Sequence, residues 1–311
     1  MKIASKTLVK ISTILSIGKM YISLTKPFRL YVYSLAILIP IAVLTYQIIP
    51  PLIVANIIDQ LINCPNQNWM SYCPLLGLFF GSLILGDVVL WRVIDNLQWK
   101  LEGKIIRNIS RDILRELDSK ERSEDILNKV ETLKTGYVRF ADTTVYQLLP
   151  LLSNVVFISL ILLFKMPILS LAFMILVVIY IGTAICVTNT THKSNAFYEQ
   201  SKRVETKTFI KFLKSRNTKD KHRFINAGDE AYKILMRASI SHTWQQTYFK
   251  IFICNISVLS LLAVLIGITS NITTVGFTFV ILSYTNIIVL HLFTFSNNTI
   301  KSYRSAFDSV K

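Results

Sequence analysis

Asp87 is the one acidic residue inside a long apolar stretch of this 311-residue chain. A carboxylate at the centre of a membrane costs about 2.5 to 3.5 kcal/mol, so such a group is by default a candidate for a water-filled cavity or a proton path. Asp87 stands toward the end of its stretch that leads to Arg92, where water is near. A structural hydrogen bond to a neighbouring helix is the alternative interpretation.

Hydroxyl and amide side chains recur in two other apolar stretches. Thr278, Thr285 and Ser296 share one face of the last stretch at helical spacing, and Gln47 and Asn56 belong to the first. Together these side chains can line a translocation cavity. Ser, Thr and Asn are also common contacts between membrane helices, so helix packing stays open as the second interpretation.

Patterns for other chemistry are absent from the sequence. Gly81 and Gly86 have the glycine spacing of a phosphate-binding loop, but Asp87 follows where the loop needs Lys. The histidines have neither ligand spacing nor a local Cys partner; they are His192, His222, His242 and His291. We therefore predict no metal site, no bound cofactor and no catalytic residue on this chain. A membrane enzyme that uses Asp87 is a weak alternative, because no second acid, base or metal accompanies it.

The elements that position these residues are six apolar stretches. Hydrophobic residues make up 52% of the chain and charged residues only 17%, against roughly 25% charged in soluble domains. Each stretch is long enough to cross the hydrocarbon core as a helix, and helix is the state that pairs its backbone groups in lipid. We predict an all-α membrane protein with spans at 30–53, 74–91, 145–164, 166–187, 251–269 and 275–295.

The positive charges predict the orientation of these spans. Of the 34 Lys and Arg residues, six crossings would place only Lys165 on the outer side. The positive-inside rule then puts both termini and both long loops in the cytoplasm of a cell-membrane protein. Because topology and interleaved acids account for the basic charge, no nucleic-acid partner is expected. Residues 1–29 are expected to form a helix in the cytoplasmic interface, and Cys64 and Cys73 in one outer loop would permit a disulfide.

The two long inner loops continue the helical pattern of the spans they leave. Apolar residues recur at steps of three and four from Ile94 to Leu117, which is typical of an amphipathic helix. The pattern predicts two helical hairpins in the cytoplasm, with tips near 119–135 and 215–230. Either the hairpins contact a partner or they are solvated loops.

Several local segments carry a resemblance to a known family. They are Lys26-Pro27-Phe28-Arg29 before the first span, Ile49-Pro50-Pro51-Leu52 and Ile57-Ile58-Asp59 at its outer end, Asn271-Ile272-Thr273-Thr274-Val275-Gly276-Phe277 at the start of the sixth span, and Ala306-Phe307-Asp308-Ser309-Val310-Lys311 at the end of the chain. With six spans and long inner loops after the second and fourth, the chain resembles the transmembrane domain of type I ABC exporters. His291 departs from that family, many members of which have Pro at this point of the sixth span.

The resemblance implies how the chain would work. Its two tips would be short coupling helices that bind ATPase domains, formed by Ile126, Leu127, Asn128, Lys129 and Val130 and by Thr218, Lys219 and Asp220. A second possible register for the first tip is Gly136 to Asp142. Residues 30–311 would form half of a translocation pathway, completed by a second transmembrane subunit in a homodimer or heterodimer.

The sequence contains no nucleotide-binding domain, so we expect either a stand-alone permease subunit served by a separate ATPase or a chain cut at the boundary before its ATPase domain. The resemblance therefore implies a permease part of an ATP-driven exporter, with ATP and Mg held by a separate ATPase domain or subunit. A non-transporting sensor or assembly protein of the same architecture is the alternative.

Overall fold

Nine α-helices make up most of the described chain. The computed structural model describes residues 19–65, 68–115, 123–215, 217–269, 273–300 and 302–303, and their side chains except those at 112–115, 123–129, 188–196, 199, 242 and 297. The helices are α1 Arg29–Val43, α2 Ile49–Asn63, α3 Cys73–Leu83, α4 Trp91–Arg115, α5 Ser123–Thr143, α6 Leu149–Lys165, α7 Pro167–Ser215, α8 Thr218–Thr269 and α9 Val275–Thr294. Short 3-10 turns at Lys26–Phe28 and Trp69–Tyr72 precede α1 and α3.

Among the described residues, six helical segments are long and apolar enough to cross a membrane. They are Lys26–Asn63, Trp69–Arg111, Val130–Lys165, Pro167–Val187, Thr218–Thr269 and Val275–Thr294. The prediction of an all-α, multi-pass membrane protein is confirmed. The first helical segment continues about three turns past the predicted end of its span at residue 53 and reaches Asn63.

Four π-helical segments interrupt the helices of the first, second, third and sixth spans in the described chain. They are Leu44–Ile48, Ile84–Leu90, Thr144–Leu148 and Phe295–Thr299. Two of them directly precede the segments containing Pro50 and Pro150. Proline has no backbone N–H and cannot form the α-helical bond to the preceding turn. The backbone before each of these prolines forms a wider π turn instead of an α-helical turn. The Ile49 N–H bonds the carbonyl of Leu44, and the Leu149 N–H bonds the carbonyl of Thr144.

The chain divides into two compact units, residues 1–174 with 258–311, and residues 175–257. The first unit has a core built from α1, α4 and α5 around Tyr21, Ile39, Ile94, Ile105 and Tyr137, all almost fully buried. Tyr21 lies in the short helical stretch before α1 and stacks on Phe140 at 5.1 Å. Residues 1–18 of the predicted interfacial helix at 1–29 lie outside the described residues.

The second unit consists of the facing parts of α7 and α8. Tyr180 packs against Phe249 at 5.8 Å and against Phe252 at 5.0 Å, and Phe209 packs against Phe224 at 5.0 Å. These aromatic contacts hold the two long helices side by side. The helices continue well beyond the predicted spans, as the sequence pattern indicated, to Ser215 and from Thr218.

Candidate functional site

The end of the first span at Asp59 is fixed to the start of the sixth span by a carboxylate. Asp59 in α2 accepts a 2.6 Å hydrogen bond from the hydroxyl of Thr274 and a 2.8 Å bond from the backbone N–H of Gly276. The Thr274 hydroxyl also accepts from Phe277 N–H, which makes Thr274 the N-cap of α9. A negative charge at a helix N-terminus is favourable because the first N–H groups have no partner within the helix.

A second polar contact joins three spans deeper in the first unit. The Asn154 amide in α6 donates a 2.5 Å hydrogen bond to Gln47 Oε1, which lies in the first π segment. His291 Nε2 in α9 lies 3.3 Å from the same oxygen. Asn154 is 0% exposed, and its own Oδ1 has no hydrogen-bond partner among the described residues. This Gln47–Asn154–His291 cluster therefore keeps one buried acceptor free.

The first π segment makes two further contacts. Gln47 donates a 2.6 Å hydrogen bond to the hydroxyl of Tyr46. The buried Tyr284 of α9 donates a 2.9 Å bond to the carbonyl of Ile48. The carbonyl of Ile48, which lies in the π turn just before Pro50 and Pro51, thus accepts a hydrogen bond from the sixth span.

Asp87 lies in the second π segment and is exposed in this chain. Next to it, Gly86 is buried against the first π segment: a Cβ added there would lie 2.6 Å from Thr45 Oγ1 and 2.8 Å from the backbone nitrogen of Tyr46. Glycine is therefore required where the two π segments meet. No hydrogen bond joins the Asp87 carboxylate to another residue in the part of the chain that the structure describes, so the structural alternative for Asp87 gains no support here.

Thr278, Thr285 and Ser296, the predicted polar face of the sixth span, contact three different sets of neighbours. Thr285 donates a 2.6 Å hydrogen bond to Ser260 of α8. Both residues line a cavity of about 20 Å³, enough for roughly one water molecule. Thr278 is half-buried and donates to the carbonyl of Thr274. Ser296 is 0% exposed and donates to the carbonyl of Phe293.

The predicted pathway residues therefore do not form one surface in this structure. Gln47 joins the Gln47–Asn154–His291 cluster, Thr285 faces the small cavity, and Ser296 is enclosed. Asn56 is exposed in α2 and accepts a hydrogen bond from Gln60 one turn on.

The start of the third span and the end of the sixth span are also joined. Thr144 and Tyr303 share a 2.7 Å hydrogen bond, and Thr299 donates a 2.7 Å bond to Gln147 Oε1. The Phe140 and Tyr303 rings are 5.5 Å apart. The third and fourth π segments thus contribute residues to this contact, as the first and second do to theirs.

The second predicted tip is an ordered turn. The Ser215 hydroxyl donates a 2.7 Å hydrogen bond to Asp220, and Lys219 N–H bonds Asn217 Oδ1 at 3.2 Å. Asp220 lies at the protein surface but is covered by its own turn, which leaves it 9% exposed. The Ser215 hydrogen bond, helped by Lys211 and Arg223, holds the pKa of Asp220 below its usual range.

Neither predicted tip is a separate short helix. Thr218 is the first residue of α8, a helix of 52 residues, and residues 126–130 lie within the first two turns of α5. Both possible registers of the first tip fall in that one helix. Val130 is 9% exposed, whereas the side chains of Ile126, Leu127, Asn128 and Lys129 lie outside the described ones.

Cys64 and Cys73 do not form the disulfide that their shared loop would permit. No group of three or more His, Cys, Asp or Glu residues in the described part of the chain could hold a metal ion.

Sequence reasoning missed several partners of the predicted residues. Asn154, Ser260, Tyr284 and Gln147 bond to residues from other spans, yet none was singled out. The signal was present, because a polar side chain in a long apolar stretch needs a partner. The identity of each partner depends on which helices pack together.

The fold defines an all-α, multi-pass membrane protein with six candidate spans. Comparison with models of known protein families finds no match. Comparison with curated proteins also finds none.

Proposed function

We propose that this chain is the membrane-spanning permease subunit of an ATP-driven exporter of the ABC type I plan. It crosses the cell membrane six times with both termini in the cytoplasm. The observation that carries the proposal is the contact between Asp59 and the Thr274–Gly276 segment. The family resemblance rests partly on these two segments. The hydrogen bonds between them hold the first span against the start of the sixth span.

The translocation pathway runs between the first, second, third and sixth spans. All four π segments of the described chain lie in these spans. π turns are frequent at functional sites and at places where helices change shape. Each π segment contains a polar residue at a helix contact or at the surface. Gln47 in the first segment bonds Asn154, Asp87 in the second is exposed, and Gln147 in the third bonds Thr299 in the fourth.

Coupling to an ATPase takes place at the ends of the long inner helices. Large apolar side chains are exposed near the end of α7, at Phe209 and Leu213, and farther along α8, at Ile240 and Trp244. Such surfaces mark contacts with other proteins. A second transmembrane subunit, identical or related, and an ATPase subunit cover them in the working complex. ATP and Mg are bound by the ATPase, whose closure shifts the permease between inward-open and outward-open states.

The test is to purify the full chain from its native membrane with a small affinity tag and to identify the ATPase that copurifies. The proposal expects a phosphate-loop ATPase in a fixed ratio to the chain. Recovery of a kinase or regulator instead would favour the sensor or assembly alternative and contradict transport. A tagged six-span protein of unrelated type serves as the control for non-specific ATPase capture.

A further inference from the structure

Four basic residues share one exposed face of α4. Lys100, Lys104, Arg107 and Arg111 follow one another at steps of four, three and four residues, which places them in one row along the helix. Glu102 is the acidic residue within this stretch, and it lies on a different face because it is two residues from Lys100 and two from Lys104. The row therefore carries positive charge along about 16 Å of helix.

The stretch before α1 adds two cations beside this row. Lys26 and Arg29 are exposed and stand on either side of Phe28 in the chain. Phe28 packs against the core to which Leu101 of α4 belongs, so the two elements are neighbours. Residues 1–58 contain no Asp or Glu. The contact between these elements is therefore basic on both sides.

Lys104 joins the two groups of cations. Its Nζ donates a 2.6 Å hydrogen bond to the hydroxyl of Tyr31 and lies 4.2 Å from the centre of the Tyr31 ring and 5.9 Å from that of Phe28. An ammonium group has three donors, and this bond uses one of them. The Tyr31 hydroxyl accepts here, and its own proton has no acceptor among the described residues. Lys104 and Tyr31 thus offer several donors at one fixed point.

This point lies where the first span begins. The sequence places the start of that span at residue 30, next to Tyr31. Large side chains nearby are exposed, with Leu30 at 80%, Tyr33 at 59% and Trp99 at 67%. Trp and Tyr are enriched where the hydrocarbon of a membrane meets its headgroups. A row of cations that starts at this level meets the phosphate layer of the bilayer.

The cations are also available to a ligand. No ion pair joins Lys26, Arg29 or Lys100 to a carboxylate among the described residues. Gly103, which directly precedes Lys104, is exposed, and a Cβ built on it meets nothing within 4 Å. The surface beside the row therefore has open space for a bulky anion.

We propose that Lys26, Arg29, Lys100, Lys104 and Tyr31 bind the phosphate headgroup of an anionic phospholipid, on the side of the membrane where the first span begins. Basic clusters at the ends of spans, and basic pockets between spans, attract such lipids. The acyl chains lie against the exposed apolar side chains on the membrane side of the cluster. This headgroup site goes beyond the proposed transport function, and its binding needs no ATPase.

The test is native mass spectrometry of the full chain, with any copurifying subunit, titrated in detergent micelles. The probes are phosphatidylglycerol and phosphatidylcholine with the same acyl chains. Phosphatidylglycerol should bind the unaltered chain at least about tenfold more tightly, because each Lys or Arg near an anionic headgroup contributes about fivefold in affinity. The Lys100→Gln/Lys104→Gln variant should weaken phosphatidylglycerol binding by about tenfold or more and leave phosphatidylcholine binding unchanged.

A matched control removes the same charges elsewhere. Lys207 and Lys211 are exposed lysines of α7 with the same spacing of four residues. The Lys207→Gln/Lys211→Gln variant should therefore keep the full preference for phosphatidylglycerol. Equal preference in the unaltered chain and the Lys100→Gln/Lys104→Gln variant would overturn the headgroup site.

A second variant protects the test from misfolding. Gly103→Leu keeps every charge and fills the open space beside Lys104, so it should weaken phosphatidylglycerol binding. Leu is a better helix former than Gly, so the melting temperature should stay the same or rise. Unchanged binding by Gly103→Leu would contradict the placement of the headgroup.

Competition separates a lipid from a soluble phosphate compound. Glycerol 1-phosphate in large excess should not displace phosphatidylglycerol, because it has the phosphate but no acyl chains. Displacement would show that the phosphate alone is recognised and would overturn the assignment to a lipid. A lipid preference that depends on Lys100 and Lys104 stands whether or not an ATPase copurifies, so this result is independent of the exporter proposal.

Discussion

The carboxylate of Asp59 bonds the backbone N–H of Gly276 at 2.8 Å, although 217 positions separate the two residues in the chain. A Cβ added at Gly276 would lie 2.7 Å from the Asp59 carboxyl and also clash with the carbonyl oxygen of Ala55. Glycine is therefore needed for α9 to begin against α2. The pair fastens the end of the first span to the start of the sixth.

Replacement of Asp59 by Asn should loosen this contact between the first and sixth spans. An amide can accept a hydrogen bond but loses the negative charge that favours a helix N-terminus, so we expect a loss of about 1 kcal/mol of unfolding free energy. The melting temperature of the purified protein measures the change. Asp229→Asn, on an exposed position of the second unit, should leave it unaltered; an equal fall in both variants would contradict the cap.

Gly86→Ala should destabilise the contact between the first and second π segments. The added methyl group would meet the backbone nitrogen of Tyr46, which cannot turn away, and overpacking of this kind costs about 1 to 3 kcal/mol. Gly81→Ala in α3 is the matched control, since a Cβ there meets nothing within 4 Å. Thermal unfolding should therefore separate the two variants, with Gly81→Ala neutral or slightly more stable.

Gln47 and Asn154 should show energetic coupling across the bundle. Hydrogen bonds between membrane helices are worth about 0.6 kcal/mol on average and about 1.7 at most. A double-mutant cycle with Gln47→Leu and Asn154→Leu, measured by reversible unfolding in mixed micelles, should give a coupling energy in that range. The parallel cycle of Asn56→Leu with Asn154→Leu should be additive, because Asn56 bonds Gln60 in its own helix.

The turn at Asp220 should lose order in acid. Because the folded state lowers the pKa of Asp220, its stabilisation is fully present above the usual aspartate pKa and disappears as the pH falls through the lower folded value. Ser215→Ala should move the carboxyl titration of Asp220 back toward the usual value, measured by the 13C shift of its carboxyl carbon. Ser239→Ala, at an exposed position of the same unit, should not; an unchanged titration in Ser215→Ala would show that the hydroxyl is not responsible.

Asp87→Asn should lower transport without reducing the amount of folded protein. The side chain is exposed and makes no hydrogen bond to the described residues, so its charge is free to act on a cargo or a proton. Uptake into inverted membrane vesicles, normalised to the amount of intact complex, measures the effect. Transport equal to that of the unaltered chain would remove Asp87 from the pathway.

The helices themselves were largely predictable, whereas their contacts were not. Each span could be found from its unbroken apolar residues because lipid allows no unpaired backbone. The pattern of Ile94, Leu101 and Ile105 also predicted the helix that became α4. However, the same pattern contains Gln98 among apolar residues, and only the packing shows that its amide is left without a partner.

The π segments were predictable only in part. Pro50 and Pro150 signal a disturbed turn in the first and third spans, because each removes a backbone donor. The second and sixth spans have no proline beside their π segments, and the sequence alone does not indicate them. The close approach at Gly86 lies in the second span. Gly77 and Gly81 in the same span have the spacing of a helix contact, yet a Cβ at either meets nothing within 4 Å.

By itself, the sequence determined that this protein is helical and which six segments are long and apolar enough to cross a membrane. The length of an apolar stretch is a local property, and it can be compared directly with the thickness of the bilayer. Only the tertiary structure decided that Asp59 meets Gly276 and that Gln47 meets Asn154 and His291. Such pairings depend on which helix faces are adjacent and at what height. Those are properties of the packed bundle, and no single segment encodes them.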